Sequence, residues 1–173
     1  MGVNDGFYDY HQGVVQSSAY RDLGSNLLRE TASRLVSPLR NLPVDPDQQA
    51  KIWPACVNLA LSCEISLKLL LWTETGKMAR GHGLDQDLYQ KLSEGRRDSI
   101  RDRVINRMRP LGSAMADYSP DRFEDDLTAS DRTFSNERYI YEVVTGRGHQ
   151  VRPAFLDVFS GVLLDEARGS DRA

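Results

Sequence analysis

The chain has 173 residues, 40% of them hydrophobic and 27% charged, which is the size and make-up of one globular domain with its own core. A formal net charge of −3 and a sequence pI near 5.6 exclude a protein that holds nucleic acid by bulk positive charge, so any such surface has to be local. Two cysteines, Cys56 and Cys63, without metal-ligand spacing, exclude a disulfide scaffold and a zinc module.

Residues 1–16 mix three glycines with aromatics and read as an N-terminal arm docking on the body, with neither a secretory leader nor an acylation pattern. From Ser17 the apolar residues Ala19, Tyr20, Leu23, Leu27, Leu28, Leu35 and Leu39 recur at helical steps, predicting a first helix to about Arg40, weakened at Gly24 and Pro38. The turn Asn41-Leu42-Pro43-Val44-Asp45-Pro46 places an N-cap and an N1 proline at the head of a second helix, kinked or restarted at Pro54 and stopped at Gly76.

The second helix contains the most apolar run of the chain, from Pro54 to Trp72. Asn58, Ser62 and Ser66 form a narrow polar line on it, and the rest of its circumference is apolar apart from Glu64 and Lys68. A helix apolar nearly all round is a core helix, so this charged pair is either an ordinary i,i+4 ion pair or part of a polar cluster built into the bundle. Cys56 and Cys63 lie two turns apart on it, about 10 Å, too far to bridge, and read as small reduced core residues.

Lys77 to Gly83 is a loop. Asp85 is placed to cap a short helix over 87–93, and residues 96–117 predict a long helix with Ile100, Val104, Met108, Leu111 and Met115 inward and with Pro110 and Gly112 interrupting it. Ser119-Pro120 starts a short acidic helix. Asn136 to Val144 alternates, but with no partner strand elsewhere it reads as helix or irregular chain. A last helix spans about Pro153 to Ala167, with Phe155, Leu156, Phe159, Val162 and Leu163 on one face. The expectation is one all-α domain over 17–168, three or four long helices around the second with short ones on the rim, and a frayed tail at 169–173.

No phosphate loop, His-Glu-x-x-His or Gly-x-Ser-x-Gly is present, which removes the common nucleotide, zinc-protease and serine-hydrolase readings. Four features remain. His82 sits in Arg80-Gly81-His82-Gly83-Leu84, where glycines let the backbone bend and aim the imidazole; His149 has a similar flank in Arg147-Gly148-His149, and His11 lies in the arm. Arg96, Arg97, Arg101, Arg103, Arg107 and Arg109 fall within fourteen residues against only Asp98 and Asp102, a row suited to RNA phosphates unless acidic neighbours neutralise it. The segment Phe134 to Glu142 interleaves Arg138 with Tyr139 and Tyr141, a pattern that stacks on bases or anchors a buried carboxylate. The fourth is the Glu64–Lys68 pair.

The order Trp53-Pro54-Ala55, Asn58-Leu59-Ala60, Cys63-Glu64-Ile65-Ser66-Leu67-Lys68-Leu69-Leu70, Gly81-His82-Gly83-Leu84 and Arg138-Tyr139-Ile140-Tyr141-Glu142 resembles an uncharacterised bacterial branch of the HEPN superfamily, over roughly residues 50–145. The resemblance implies an antiparallel helical bundle, frequently dimeric, of the kind found in toxin–antitoxin, abortive-infection and phage-defence loci. It also implies that Glu64, Lys68, His82, Arg138, Tyr141 and Glu142 meet as a polar cluster. Active HEPN ribonucleases carry Arg, four to six residues, then His; no arginine stands at that spacing before His11, His82 or His149.

The expectation is therefore a cytoplasmic, RNA-associated or defence-system component, non-catalytic or weakly catalytic. Its expected partners are a second copy, RNA and a protein from the same locus, with no membrane, cofactor or metal. One alternative is a metal-independent ribonuclease in which His82 exchanges the proton and Arg138 stabilises the developing charge. Another is a structural module that docks through the acidic helix.

Overall fold

The computed structural model of the chain describes residues 9–35, 46–133 and 152–170. The described residues are all-α, with no strand among them. Among the described residues there are five α-helices: α1 (Tyr10–Leu35), α2 (Pro46–Thr75), α3 (Glu94–Met108), α4 (Pro120–Ser130) and α5 (Pro153–Ser170). The predicted turn at 41–46 lies largely outside the described residues, and the segment 134–144 with the Arg147-Gly148-His149 flank lies wholly outside them.

Helix α1 begins at Tyr10 rather than at Ser17, so the second half of the expected arm is helix. Asp9 caps it, its carboxylate accepting from the backbone N–H of His11 at 2.9 Å and of Gln12 at 3.4 Å. Helix α2 runs unbroken through Pro54, where a kink or restart was expected. The Pro54 carbonyl also accepts the Asn58 side-chain amide at 2.7 Å. Gly76 stops α2 as its sequence predicts, with φ +67° and its N–H on the Trp72 carbonyl at 2.8 Å.

Residues Lys51–Thr75 are long and apolar enough to cross a membrane by length and composition, but 67% of the most apolar window is buried inside the fold. The neighbours that bury it are α1 and α5. Along the α1–α2 seam, Ser17 meets Ser62 and Ser66, with hydroxyl oxygens 2.9 and 2.7 Å apart, and Ser62 donates to the Ser17 carbonyl at 2.9 Å. A Cβ on Gly24 would stand 2.7 Å from the Leu59 side chain and 2.9 Å from the Ala55 carbonyl, so the absence of a side chain is what lets the two backbones approach. The polar line of α2 is thus largely an internal seam. Pairings of Gly13 with Leu69, Ser17 with Ser62 and Gly24 with Leu59 run in opposite senses along the two helices, which makes them antiparallel.

Helix α5 buries Phe155, Leu156, Phe159, Val162 and Leu163, the face its periodicity predicts. Phe159 packs with Phe155, Phe123 and Tyr89 at centroid distances of 5.1, 6.0 and 6.1 Å, joining α5, α4 and the turn before α3. The expected helix over 96–117 ends at Met108. Pro110 lies in a single 3₁₀ turn, and Gly112 has φ +148°, a conformation that excludes further helix. The expected helix over 87–93 is instead a π-type turn (Leu84–Leu88) running into a 3₁₀ turn (Tyr89–Lys91). Ser119 caps α4 as expected, accepting from the Arg122 N–H at 3.3 Å.

Candidate functional site

The Glu64–Lys68 pair lies at the edge of the core. Glu64 is 5% exposed, and its Oε1 accepts from Lys68 Nζ at 2.8 Å and is 2.9 Å from His82 Nδ1. Sequence reading left two options for this pair, and the geometry is the clustered one: His82 joins it from the following loop. In the neutral tautomer in which Nδ1 donates to the carboxylate, Nε2 is the nitrogen left as acceptor, and the side chain as a whole is 59% exposed. Burial keeps the carboxylate from water and makes it a fixed partner for the ring.

The loop that carries His82 is clamped by two carboxylates, Asp87 from the turn that follows it and Asp131 from the end of α4. Asp87 accepts from the His82 N–H at 3.3 Å and the Gly83 N–H at 3.0 Å, and Asp131 accepts from the Asp85 N–H at 2.7 Å, with its carbonyl taking the Leu84 N–H at 3.0 Å. These bonds, the one from Gly83 foremost, hold the Asp87 carboxyl below its ordinary value. Its stabilising contribution is complete above the ordinary aspartate range and is lost as the pH falls through the lower folded value.

The glycines serve this clamp rather than mobility. A Cβ on Gly81 would stand 2.2 Å from Asp87 Cβ, and one on Gly83 would stand 2.8 Å from Asp131 Oδ1. Gly81→Ala is therefore expected to cost about 1–3 kcal/mol by overpacking, with faster amide exchange at His82 and Gly83. Unchanged exchange there would show that the loop yields without losing its anchor.

Asp85 does not cap a helix from solvent. It is 5% exposed, and its carboxylate accepts from Gln90 Nε2 at 2.9 Å, Gln86 Nε2 at 3.0 Å and Thr128 Oγ1 at 3.4 Å. Burial, reinforced by the nearby Asp85 charge, raises the Glu124 carboxyl.

The six arginines of α3 and its C-terminal turn are engaged within the fold. Arg96 pairs with Glu74 at 3.0 Å, Arg101 with Asp98 at 2.8 Å, Arg107 with Asp165 at 2.7 Å, and Arg103 with Glu166 and Asp165. Arg97 donates to Gln90 at 2.6 Å and Arg109 to the Tyr118 carbonyl at 3.1 Å. Four of the six thus meet carboxylates, chiefly on α5 and α2, far from them in the sequence. By contrast, Lys77 and Arg80 are exposed on the His82 loop and make no ion pair among the described residues.

Arg138, Tyr141 and Glu142, expected in the cluster, lie outside the described residues. His11 sits in the exposed first turn of α1. Cys56 and Cys63 are buried, and burial pushes the Cys63 thiol far up, which leaves it unreactive. Among the described residues no group of His, Cys, Asp and Glu is placed to hold a metal ion. The class the geometry defines is an all-α domain with a carboxylate-held histidine on a basic loop. The chain matches no known family model, no curated protein and no solved structure at a significant level.

Proposed function

We propose that the protein is a cytoplasmic, HEPN-like component of a phage-defence or toxin–antitoxin system. In this reading it works as a homodimer alongside a protein from the same locus and contacts RNA through the loop 77–83. The observation that carries the RNA contact is the contrast in charge. The α3 arginines are engaged by partners of the fold, whereas Lys77 and Arg80, beside a histidine held by Glu64, are exposed and make no ion pair among the described residues. Unpaired cations on a fixed loop are what phosphate contacts require.

The test is single-stranded RNA binding by fluorescence anisotropy across a salt series. Lys77→Ala with Arg80→Ala is expected to weaken binding and to lower the slope of log affinity against log salt by about 1.4, two phosphate contacts at about 0.7 each. Arg103→Ala with Arg107→Ala leaves that slope unchanged, because those charges are spent on Asp165 and Glu166. No binding at low salt removes the RNA reading.

A second reading, a metal-independent ribonuclease, is favoured by one feature: an exposed imidazole held by a carboxylate through Nδ1 is an arrangement that can take a proton from a 2′-hydroxyl. The Arg/His spacing of active HEPN ribonucleases is absent, so the expected result is no cleavage above background by the purified protein. Cleavage abolished by His82→Ala in a folded protein would replace the first reading with the second.

A further inference from the structure

A cleft of about 480 Å³ opens between α4, the start of α5 and the turns after α3. This is the size range of small-molecule sites. Its apolar lining comes from Met108 and Phe155, each 1% exposed, and from the partly buried Met115. Methionine side chains adapt to varied apolar shapes.

The polar lining divides into groups engaged within the fold and groups left to solvent. Asp126 is 8% exposed and fully engaged, taking Arg152 Nε on Oδ1 at 2.9 Å and the Tyr118 hydroxyl on Oδ2 at 2.8 Å. Arg122 is engaged on one side. Its Nη1 donates to the Ala114 carbonyl at 3.0 Å and reaches Asp117 only at 3.7 Å, and its guanidinium lies 5.4 Å from the centroid of the Tyr118 ring. Its Nε and Nη2 make no hydrogen bond among the described residues. Asp125, three residues along α4, lines the same cleft from an exposed position and makes no ion pair or hydrogen bond among them either, not even with Arg122.

We propose that this cleft binds a small zwitterion, an α-amino acid with an apolar side chain. Arg122 takes the carboxylate, Asp125 takes the ammonium, and the side chain lies on Met108, Met115 and Phe155. A simple anion would meet Asp125 unopposed and a simple cation would meet Arg122 unopposed, whereas a zwitterion satisfies both.

The test follows the methionine methyl signals of the full-length chain by NMR during titration with L-phenylalanine, its amide and its N-acetyl form. L-Phenylalanine is expected to shift the Met108 and Met115 methyls saturably in the millimolar range. The amide and the N-acetyl form are each expected to bind at least about tenfold more weakly, since each removes one charge-assisted bond. Asp125→Asn touches no contact of the fold and is expected to erase the discrimination against the N-acetyl form alone; Arg122→Gln erases that against the amide alone. The absence of a saturable shift, equal binding of all three compounds, or discrimination that survives both substitutions would each overturn the assignment.

Discussion

Phe159→Ala is expected to lower the unfolding free energy by about 3–5 kcal/mol, the largest effect of any single substitution considered for this chain. The side chain is completely buried, and its ring neighbours come from three segments: Phe155 on its own helix, Phe123 on α4, and Tyr89 in the 3₁₀ turn before α3. A cavity among elements fixed separately cannot close by a small shift of any one of them, so both the transfer loss and the void remain. Tyr89 is further held by its hydroxyl on the Arg97 carbonyl at 2.7 Å. Against a total stability of about 5–15 kcal/mol for an ordinary domain, the loss is a large share. Urea unfolding reads it as a lower midpoint at unchanged slope. A loss under about 1.5 kcal/mol, the cost of a tolerated core swap, would mean that the cluster repacks.

Glu64→Ala is expected to cost about 2–4 kcal/mol, because it strands Lys68, 17% exposed, beside a core that cannot solvate it and frees the His82 ring from its anchor. Replacing both charges together, Glu64→Leu with Lys68→Met, is expected to restore most of that stability, since a buried ion pair exchanged for apolar residues of similar volume is close to neutral. The double variant still lacks the carboxylate that orients His82. Stability returning without RNA binding would tie Glu64 to function, and both returning together would make the pair structural. A loss below about 0.5 kcal/mol for Glu64→Ala, the size of an exposed pair, would refute the buried cluster.

The helices were legible wherever the signal was local. Ser119-Pro120 and Gly76 act through the stereochemistry of one or two residues, and the α5 face follows from period alone. The start of α1 was also written locally, in Asp9-Tyr10-His11-Gln12, an acidic cap with Gln three residues on, but neighbouring glycines and aromatics obscured it. What sequence did not reveal depends on distant partners. The arginine row reads as a free cationic face until Asp165 and Glu166, about sixty residues later, are laid against it. Likewise, glycines around His82 suggest freedom until Asp131 is brought within contact of Gly83. Asp125 and Arg122 stand three apart on one helix, and only the tertiary cleft shows them left without each other.

The serine cluster between α1 and α2 bears on alternative packings rather than on strength. Two greasy antiparallel helices can slide past each other by one turn, about 5.4 Å, and still cover much the same apolar area. Ser17 prevents that degeneracy, because its hydroxyl meets Ser62 and Ser66 together in one alignment only. A one-turn slip would leave hydroxyls buried without partners and would drive a leucine into the notch at Gly24. Changing Ser17, Ser62 and Ser66 together to alanine would thus leave a bundle that still collapses but populates more than one alignment of α1, with the loss appearing as heterogeneity before it appears as unfolding.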